Sequence, residues 1–566
     1  MTSLGRGSSR RGAGAGAPAP EMPAISSAKE AGRGLRTPAA RKIAWAAGYA
    51  VAAVVLFFCY LRQSRTVTVG ADGGSIALQA WDMLHGNALL QGWGMSDVSF
   101  YSTELVQYVL LEALHGLGPD VIHIGGAMTY TLLLLLAGLV AKGRAGGREG
   151  LVRVLVAGGI MLAPALGNAT STLLLTPDHL GSAVPVLLAW LLVERLPQRW
   201  YVPVAVCVVL VWGQVADLLV LLTGVAPLVI VCGIRVGQKV WRREPLKSQW
   251  YELALIAAAL ASVGLMRAAE ALIRISGGFV LQPVAMSFAG WSAMPQHLLV
   301  TGEGLLTLFG ASFFGPEPSN YMIFAVLHVA GVAAVAWAFC VAIRRFARRE
   351  ELIVPALVLA IVLNVAAYVP GTYVANLLST REISEVLPFG AVLAGRLLAG
   401  PIVRAGRAVR LVLGSLGITC LVCYAAAAGY GAAQAAVPAQ NQDLVAFLMA
   451  HGLRSGLAGY WQANSVTLDS GGQIVVRPVK LNAAGLAVAN LWEAKASWYD
   501  PRANQANFVV TVSRPPSQEW QMQPFQARDT FGHPVRTYRF GRYTILVWHT
   551  NLLAHLGQGV DKSVGP

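Results

Sequence analysis

The chain has 566 residues, with 43 Lys and Arg against 28 Asp and Glu, 55% hydrophobic residues and a formal charge of +15. Only 13% of its residues are charged, about half the roughly 25% usual in soluble domains. A soluble enzyme, a disordered protein and a disulfide scaffold are thereby excluded. What remains is an all-α polytopic membrane protein with a small external α+β C-terminal domain.

In chain order, residues 1–42 form a Gly-, Ala- and Arg-rich segment, read as a disordered basic cytoplasmic tail. Residues 43–430 follow as the transmembrane domain. Apolar runs predict about eleven spans, near 44–61, 121–141, 151–167, 179–194, 201–214, 218–235, 251–268, 322–343, 353–369, 385–400 and 409–428. The first lacks a small-residue cleavage site and reads as a retained signal anchor. All six cysteines lie in apolar runs, where Cys behaves as a small hydrophobe.

Of the 43 basic residues, 27 flank spans on the side shared with the N-terminus, while the opposite loops hold only Arg62, Arg65, Arg267, Arg274 and Arg381. The positive-inside rule then places the N-terminus in the cytoplasm, and an odd number of crossings places the C-terminal domain outside the cell membrane. The basic charge therefore answers to anionic membrane lipids and not to nucleic acid.

The first outer loop, 62–120, predicts interfacial helices. Ile76, Ala80, Trp81 and Leu84 recur at helical spacing, with Asp82 and His85 on the wetter side. Tyr101–Gly116 is apolar enough to cross, but a crossing there would move Lys142, Arg144 and Arg148 outside, so it reads as interfacial or re-entrant. In the loop 269–321, Pro295–Phe309 predicts another interfacial helix, with His297 and Glu303 facing water and a breaker at Gly315–Pro318. Residues 435–566 form the extracytoplasmic α+β domain. Strands are predicted at Gln473–Val479, Asn507–Ser513 and Tyr538–Trp548, with a helical start at Gln442–His451. Tyr460-Trp461 opens a stretch that reads as strand and turn.

Three places carry candidate chemistry. Asp72 stands just past the first span, where partial desolvation suits a general base, or it caps a helix over 75–86. Asp178-His179 lies in a short outer turn, as a cap or as a pair for a divalent metal or a phosphate-linked group. Arg381-Glu382 precedes the tenth span, where a guanidinium suits a lipid phosphate or pairs with Glu382 or Glu385. Gln214 and Asp217 sit near a broken helix, where an intramembrane acid marks a pathway or Asp217 lies at the outer surface. No GxSxG, P-loop, HExxH or GxGxxG after a strand occurs.

The stretches ADGGSIALQAWDMLHGN, TPDHLGSAVPVLLAW and STREISEVLPFGAVLAGR, in this topology, resemble the GT-C superfamily of integral membrane glycosyltransferases. The nearer resemblance is to bacterial members of the protein mannosyltransferase and aminoarabinose transferase type. It implies transfer of a sugar from a polyprenyl-phosphate-linked donor to an extracytoplasmic acceptor (a cell-envelope glycan, lipid or protein), with inversion. It implies Asp72 as base, and Asp178, His179, Arg381 and Glu382 as substrate-binding, with Arg381 on the lipid phosphate. A divalent cation, Mg or Mn, at Asp72 and Asp178 is left open. Two departures stand out: Gly73-Gly74 follows the acid, and Tyr101-Ser102-Thr103-Glu104 replaces the family's Pro-Pro-Leu-Tyr. A transporter or flippase for a lipid-linked or polar solute and an inactive scaffold are the alternatives.

Overall fold

The computed structural model describes residues 38–175, 179–282, 287–313, 322–346, 351–512 and 521–558. The predicted N-terminal tail up to residue 37, Asp178 and the Gly315–Pro318 breaker lie outside them. The chain divides into Met1–Ala52 and Ala53–Pro566, and the second unit carries the site.

The helical part runs α1 (Pro38–Ser64), α2 (Ala71–Leu84), β1 (Trp93–Met95), α3 (Glu104–His115), α4 (Asp120–Lys142), α5 (Gly147–Met161), α6 (Asn168–Leu174), α7 (Ala183–Arg195), α8 (Tyr201–Ala216), α9 (Ala226–Trp241), α10 (Trp250–Ile275), β2 (Val280–Leu281), α11 (Met294–Leu308), α12 (Met322–Arg345), α13 (Ile353–Tyr368), α14 (Val386–Arg404) and α15 (Arg407–Ala433). The C-terminal part runs α16 (Gln442–Ala450), β3 (Ser455–Gly459), α17 (Tyr460–Asp469), β4 (Val475–Leu481), β5 (Ala487–Ala489), β6 (Ala494–Lys495), β7 (Phe508–Val512), α18 (Pro524–Phe531), β8 (Arg536–Phe540) and β9 (Tyr543–Val547).

The predicted spans coincide with helices over most of their length, though 151–167 outruns α5, which ends at Met161; a helix satisfies its own backbone within hydrocarbon. Among the described residues seven helices are long and apolar enough to cross a membrane, or eight if α6 and the segment His179–Arg195, bent by 48°, form one span. The protein is a multi-pass membrane protein. α4 and α14 are the central helices, with 78% of their apolar windows buried, against 17–22% in α10, α12 and α15, whose bare apolar faces suit lipid. α3, with 12 residues, is about 18 Å long and too short to cross. The predicted break after α8 is present. Asp217 is extended, and a π-helical turn, Leu221–Val225, leads into α9.

The strands form two sheets. In one, β1 pairs in parallel with β2 and antiparallel with β6, so both predicted outer loops and the C-terminal part share three strands. The other has the order β5-β4-β3-β7-β9-β8, with β3 parallel to β4 and β7. The predicted strand Tyr538–Trp548 is a hairpin, β8 and β9, turned at Gly541 with φ +55°.

Two expectations are corrected. Tyr460–Asp469 is helix, not strand and turn, because the parallel β3–β4 pair needs a crossover and α17 supplies it. His297 is buried, with Nδ1 and the Val369 carbonyl oxygen 2.8 Å apart, and Glu303 is half-buried. α11 packs so closely on the turn Leu377–Ile383 that a Cβ on its Gly304 would strike Thr380.

Candidate active site

α2 opens at Gly70, whose backbone is extended, and begins four residues earlier than predicted. Asp72 is therefore in the first helical turn and is not the cap. Its carboxylate takes long-range partners instead. Oδ2 accepts a hydrogen bond from Arg381 Nη1 at 3.1 Å, and Oδ1 accepts one from the Tyr460 hydroxyl at 2.7 Å.

Arg381 is presented by the 3-10 turn Leu377–Ile383, which Asn376 opens by accepting the Leu378 N–H on its side chain. The Tyr368 and Ser379 hydroxyls, 2.7 Å apart, hold that turn to the end of α13. Glu382 Oε2 lies 2.8 Å from His179 Nε2, and His179 Nδ1 lies 2.8 Å from Asp217 Oδ2. Asp217 also accepts from the Ser182 hydroxyl and the Leu219 N–H. A neutral imidazole has one N–H. With a carboxylate on each nitrogen, His179 is the imidazolium that joins the two.

The directions of titration agree. Burial alone would raise the carboxyls of Asp217 and Glu382, but the charge of His179 and its hydrogen bonds hold both below the usual range. Asp217 is buried at the predicted helix break, where its side chain meets His179.

A cavity of about 420 Å³ opens beside Asp72 and Arg381, lined also by Thr68–Gly73, Ile122, Leu175, Tyr373, Leu378 and Trp461. A smaller one of about 100 Å³ lies across the same pair, walled by Asp97, Phe100, His179, Glu382, Trp492 and Glu493. The Asp72 and Arg381 side chains are 39% and 43% exposed, so both can be reached from the larger cavity.

Of the predicted site residues, Asp72, His179, Arg381 and Glu382 come together; Asp178 lies outside the described residues. Sequence reasoning missed Tyr460 and Glu493. The aromatic pair Tyr460-Trp461 was a signal, assigned to the wrong element; Glu493 carried none. Among the described residues no group of three or more His, Cys, Asp and Glu could hold a metal. Both Asp72 oxygens are taken, one by a guanidinium that repels a dication, so Asp72 does not fit the Mg or Mn left open there, and its partner Asp178 lies outside the described residues.

No protein-family model and no curated protein matches the chain. Solved structures do. The chain is similar to ArnT from Cupriavidus metallidurans bound to undecaprenyl phosphate, at 14% identity and a TM-score of 0.49, over 89% of this chain and 98% of that one. It is also similar to the Archaeoglobus fulgidus oligosaccharyltransferase in complex with Zn and sulfate, at 11% identity and a TM-score of 0.45, over 81% and 68%. The same oligosaccharyltransferase tethered with an acceptor peptide gives 12% identity and a TM-score of 0.44, over 82% and 69%.

Proposed function

We propose that the protein is an inverting glycosyltransferase of the cell membrane. It moves a sugar from a polyprenyl-phosphate-linked donor to a hydroxyl of an extracytoplasmic glycan, lipid or protein. The acceptor oxygen attacks the anomeric carbon and its proton passes to Asp72. The bond from that carbon to the phosphate oxygen breaks, and the electron pair leaves with the polyprenyl phosphate. One displacement inverts the centre.

The observation that carries this reading is the Asp72–Arg381 pair at the lip of the larger cavity. A group that can take a proton and a group that can hold a phosphate stand side by side. Leu175, Tyr373, Leu378 and Trp461 offer apolar wall for a lipid-linked substrate. When a donor phosphate draws the guanidinium to itself, Oδ2 of Asp72 is released to take the proton. A positioned base supplies about 10²- to 10⁴-fold, and holding both substrates supplies more.

In this reading residues 1–42 are cytoplasmic, 43–430 form the membrane domain and 435–566 lie outside. Its support is the placing of charge. Lys142, Arg195, Arg344, Arg345 and Arg404 end helices α4, α7, α12 and α14, away from Asp72. The test uses the full chain in nanodiscs with a panel of radiolabelled undecaprenyl-phosphate pentoses and hexoses and an envelope extract. Label leaves the lipid phase with the wild type and stays there with Asp72→Asn. No Asp72-dependent transfer across the panel overturns the reading.

A further inference from the structure

We infer that Tyr460 and Glu493, both from the C-terminal part, are positioning residues that fix the Asp72 carboxylate so that Oδ2 is the oxygen left for the acceptor proton. The inference rests on Asp72 as the base and goes beyond it by naming what orients that base.

The Tyr460 hydroxyl lies 2.7 Å from Asp72 Oδ1 and 2.5 Å from Glu493 Oε2. A phenol has one proton and can donate it once. Were both carboxylates ionised, one contact would set a phenol lone pair against an anion at hydrogen-bond distance, with Tyr460 2% and Glu493 5% exposed. A buried charge left in that state is costly. A second proton is therefore required, and it belongs on Glu493. Asp72 has the Arg381 cation on its other oxygen and opens to the larger cavity at 39% exposure; among the described residues Glu493 has no cation beside it and meets only the smaller cavity, at 5% exposure.

The surroundings agree. Burial, then the charge of Asp72, push the Glu493 carboxyl up to about 7. Burial and the two flanking acids push the Tyr460 phenol well above its ordinary value, so it keeps its proton. Hydrogen bonds with Tyr460, Ser75 and Ser96 draw the carboxyl the other way and are outweighed; the Ser75 and Ser96 hydroxyls also lie 2.9 Å from the Ala71 and Val98 carbonyl oxygens, which compete for their protons. The order of donation is fixed: Glu493 to Tyr460, and Tyr460 to Asp72.

The backbone is built to hold this chain of bonds. Glu493 has φ +49°, a left-handed conformation that side chains rarely adopt and that persists where surrounding structure imposes it. It sits directly before β6, which is paired to β1 through Trp93 with Lys495 and Gly94 with Ala494. The Lys495 ammonium donates to Asp82 Oδ2 at 2.9 Å on α2 itself. Tyr460 is the first residue of α17, and the Asn464 amide donates to Ser75 at 2.8 Å and to the Glu493 carbonyl at 3.3 Å. Three elements distant in sequence thus converge on one carboxylate oxygen.

The test measures sugar-transfer kinetics and undecaprenyl phosphate binding for the full chain in nanodiscs, as wild type, Asp72→Asn, Tyr460→Phe, Glu493→Ala and Glu493→Gln. Tyr460→Phe and Glu493→Ala are expected to lower kcat by about 10- to 100-fold, the rate equivalent of one hydrogen bond to a charged group. KM and undecaprenyl phosphate binding stay within about twofold, because Arg381 is untouched. Glu493→Gln, whose amide N–H can still donate to Tyr460, returns kcat to within about threefold of wild type. If Tyr460→Phe and Glu493→Ala keep wild-type kcat, or Glu493→Gln is as impaired as Glu493→Ala, while Asp72→Asn is inactive, the positioning role is overturned and Asp72 stands as base. If Asp72→Asn remains active, the base assignment fails and the positioning role falls with it. Should Tyr460→Phe lose undecaprenyl phosphate binding through misfolding, the comparison of Glu493→Gln with Glu493→Ala decides.

Discussion

A side chain on Gly74 would begin 3.0 Å from the backbone carbonyl carbon and oxygen of Asn464. α2 and α17 thus meet almost backbone to backbone, and this approach brings Tyr460 within reach of Asp72. Glycine at position 74 permits this approach. Gly74→Val is expected to push α17 away, lower transfer by at least about tenfold, and destabilise the docked region by about 1–3 kcal/mol. Limited proteolysis of the C-terminal part, read beside label transfer, checks this. Unchanged protection and activity would contradict it.

Arg381 is expected to govern the lipid carrier and not the folding of the chain. Arg381→Ala should weaken undecaprenyl phosphate binding by about 10- to 100-fold. Arg381→Lys should fall between, since an ammonium lacks the planar fork that matches phosphate. A scintillation proximity assay with labelled undecaprenyl phosphate measures both.

His179 bridges two carboxylates, one of them on the nearly buried Asp217. Removing it as His179→Ala leaves an uncompensated negative charge inside the protein, at a cost of about 3 kcal/mol. It also releases Glu382, so the turn carrying Arg381 loosens. Adding Asp217→Asn removes the orphaned charge and is expected to recover part of the lost thermal stability. Additive losses in the double variant would show that the two residues are not coupled.

The Glu493 carboxyl gives a pH dependence with a definite sign. Its folded value is about 7, raised from the ordinary 4.5. Below about pH 4.5 the folded and unfolded chains both hold the proton. Between about 4.5 and 7 the unfolded chain has released it while the folded chain keeps it, so stability falls as pH rises, then levels off above about 7. The total is about 3 kcal/mol at the outside. Glu493→Gln lacks this contribution. Melting temperatures at pH 5, 6, 7 and 8 should therefore show the wild type losing ground to Glu493→Gln as pH increases; parallel curves would contradict the protonated acid.

The helices could be read from the sequence because the bilayer constrains each stretch of about 20 residues separately. The break at Asp217 was equally local. α17 was not, because Tyr460–Asp469 is helical on account of the parallel register of Ser455 with Val475, a contact outside its own composition. Asp72 and Arg381 each stood out as a charge beside a span, but their meeting is a matter of packing. Glu493, in the unremarkable run LWEAK, carried no mark of its left-handed backbone. His297 was assigned to water because its own helix looked amphipathic; the neighbouring turn that covers it is contributed by residues far along the chain.

The strand order β2-β1-β6 also has a consequence for biosynthesis. The ribosome makes β1 and β2 long before β6, so during membrane insertion β1 is without one of its two partners. The tyrosine and the acid that complete the chain of hydrogen bonds arrive only with that late strand and the helix before it. A nascent or prematurely terminated polypeptide would hold the guanidinium and the aspartate yet lack their alignment, so full-length synthesis becomes a condition for turnover.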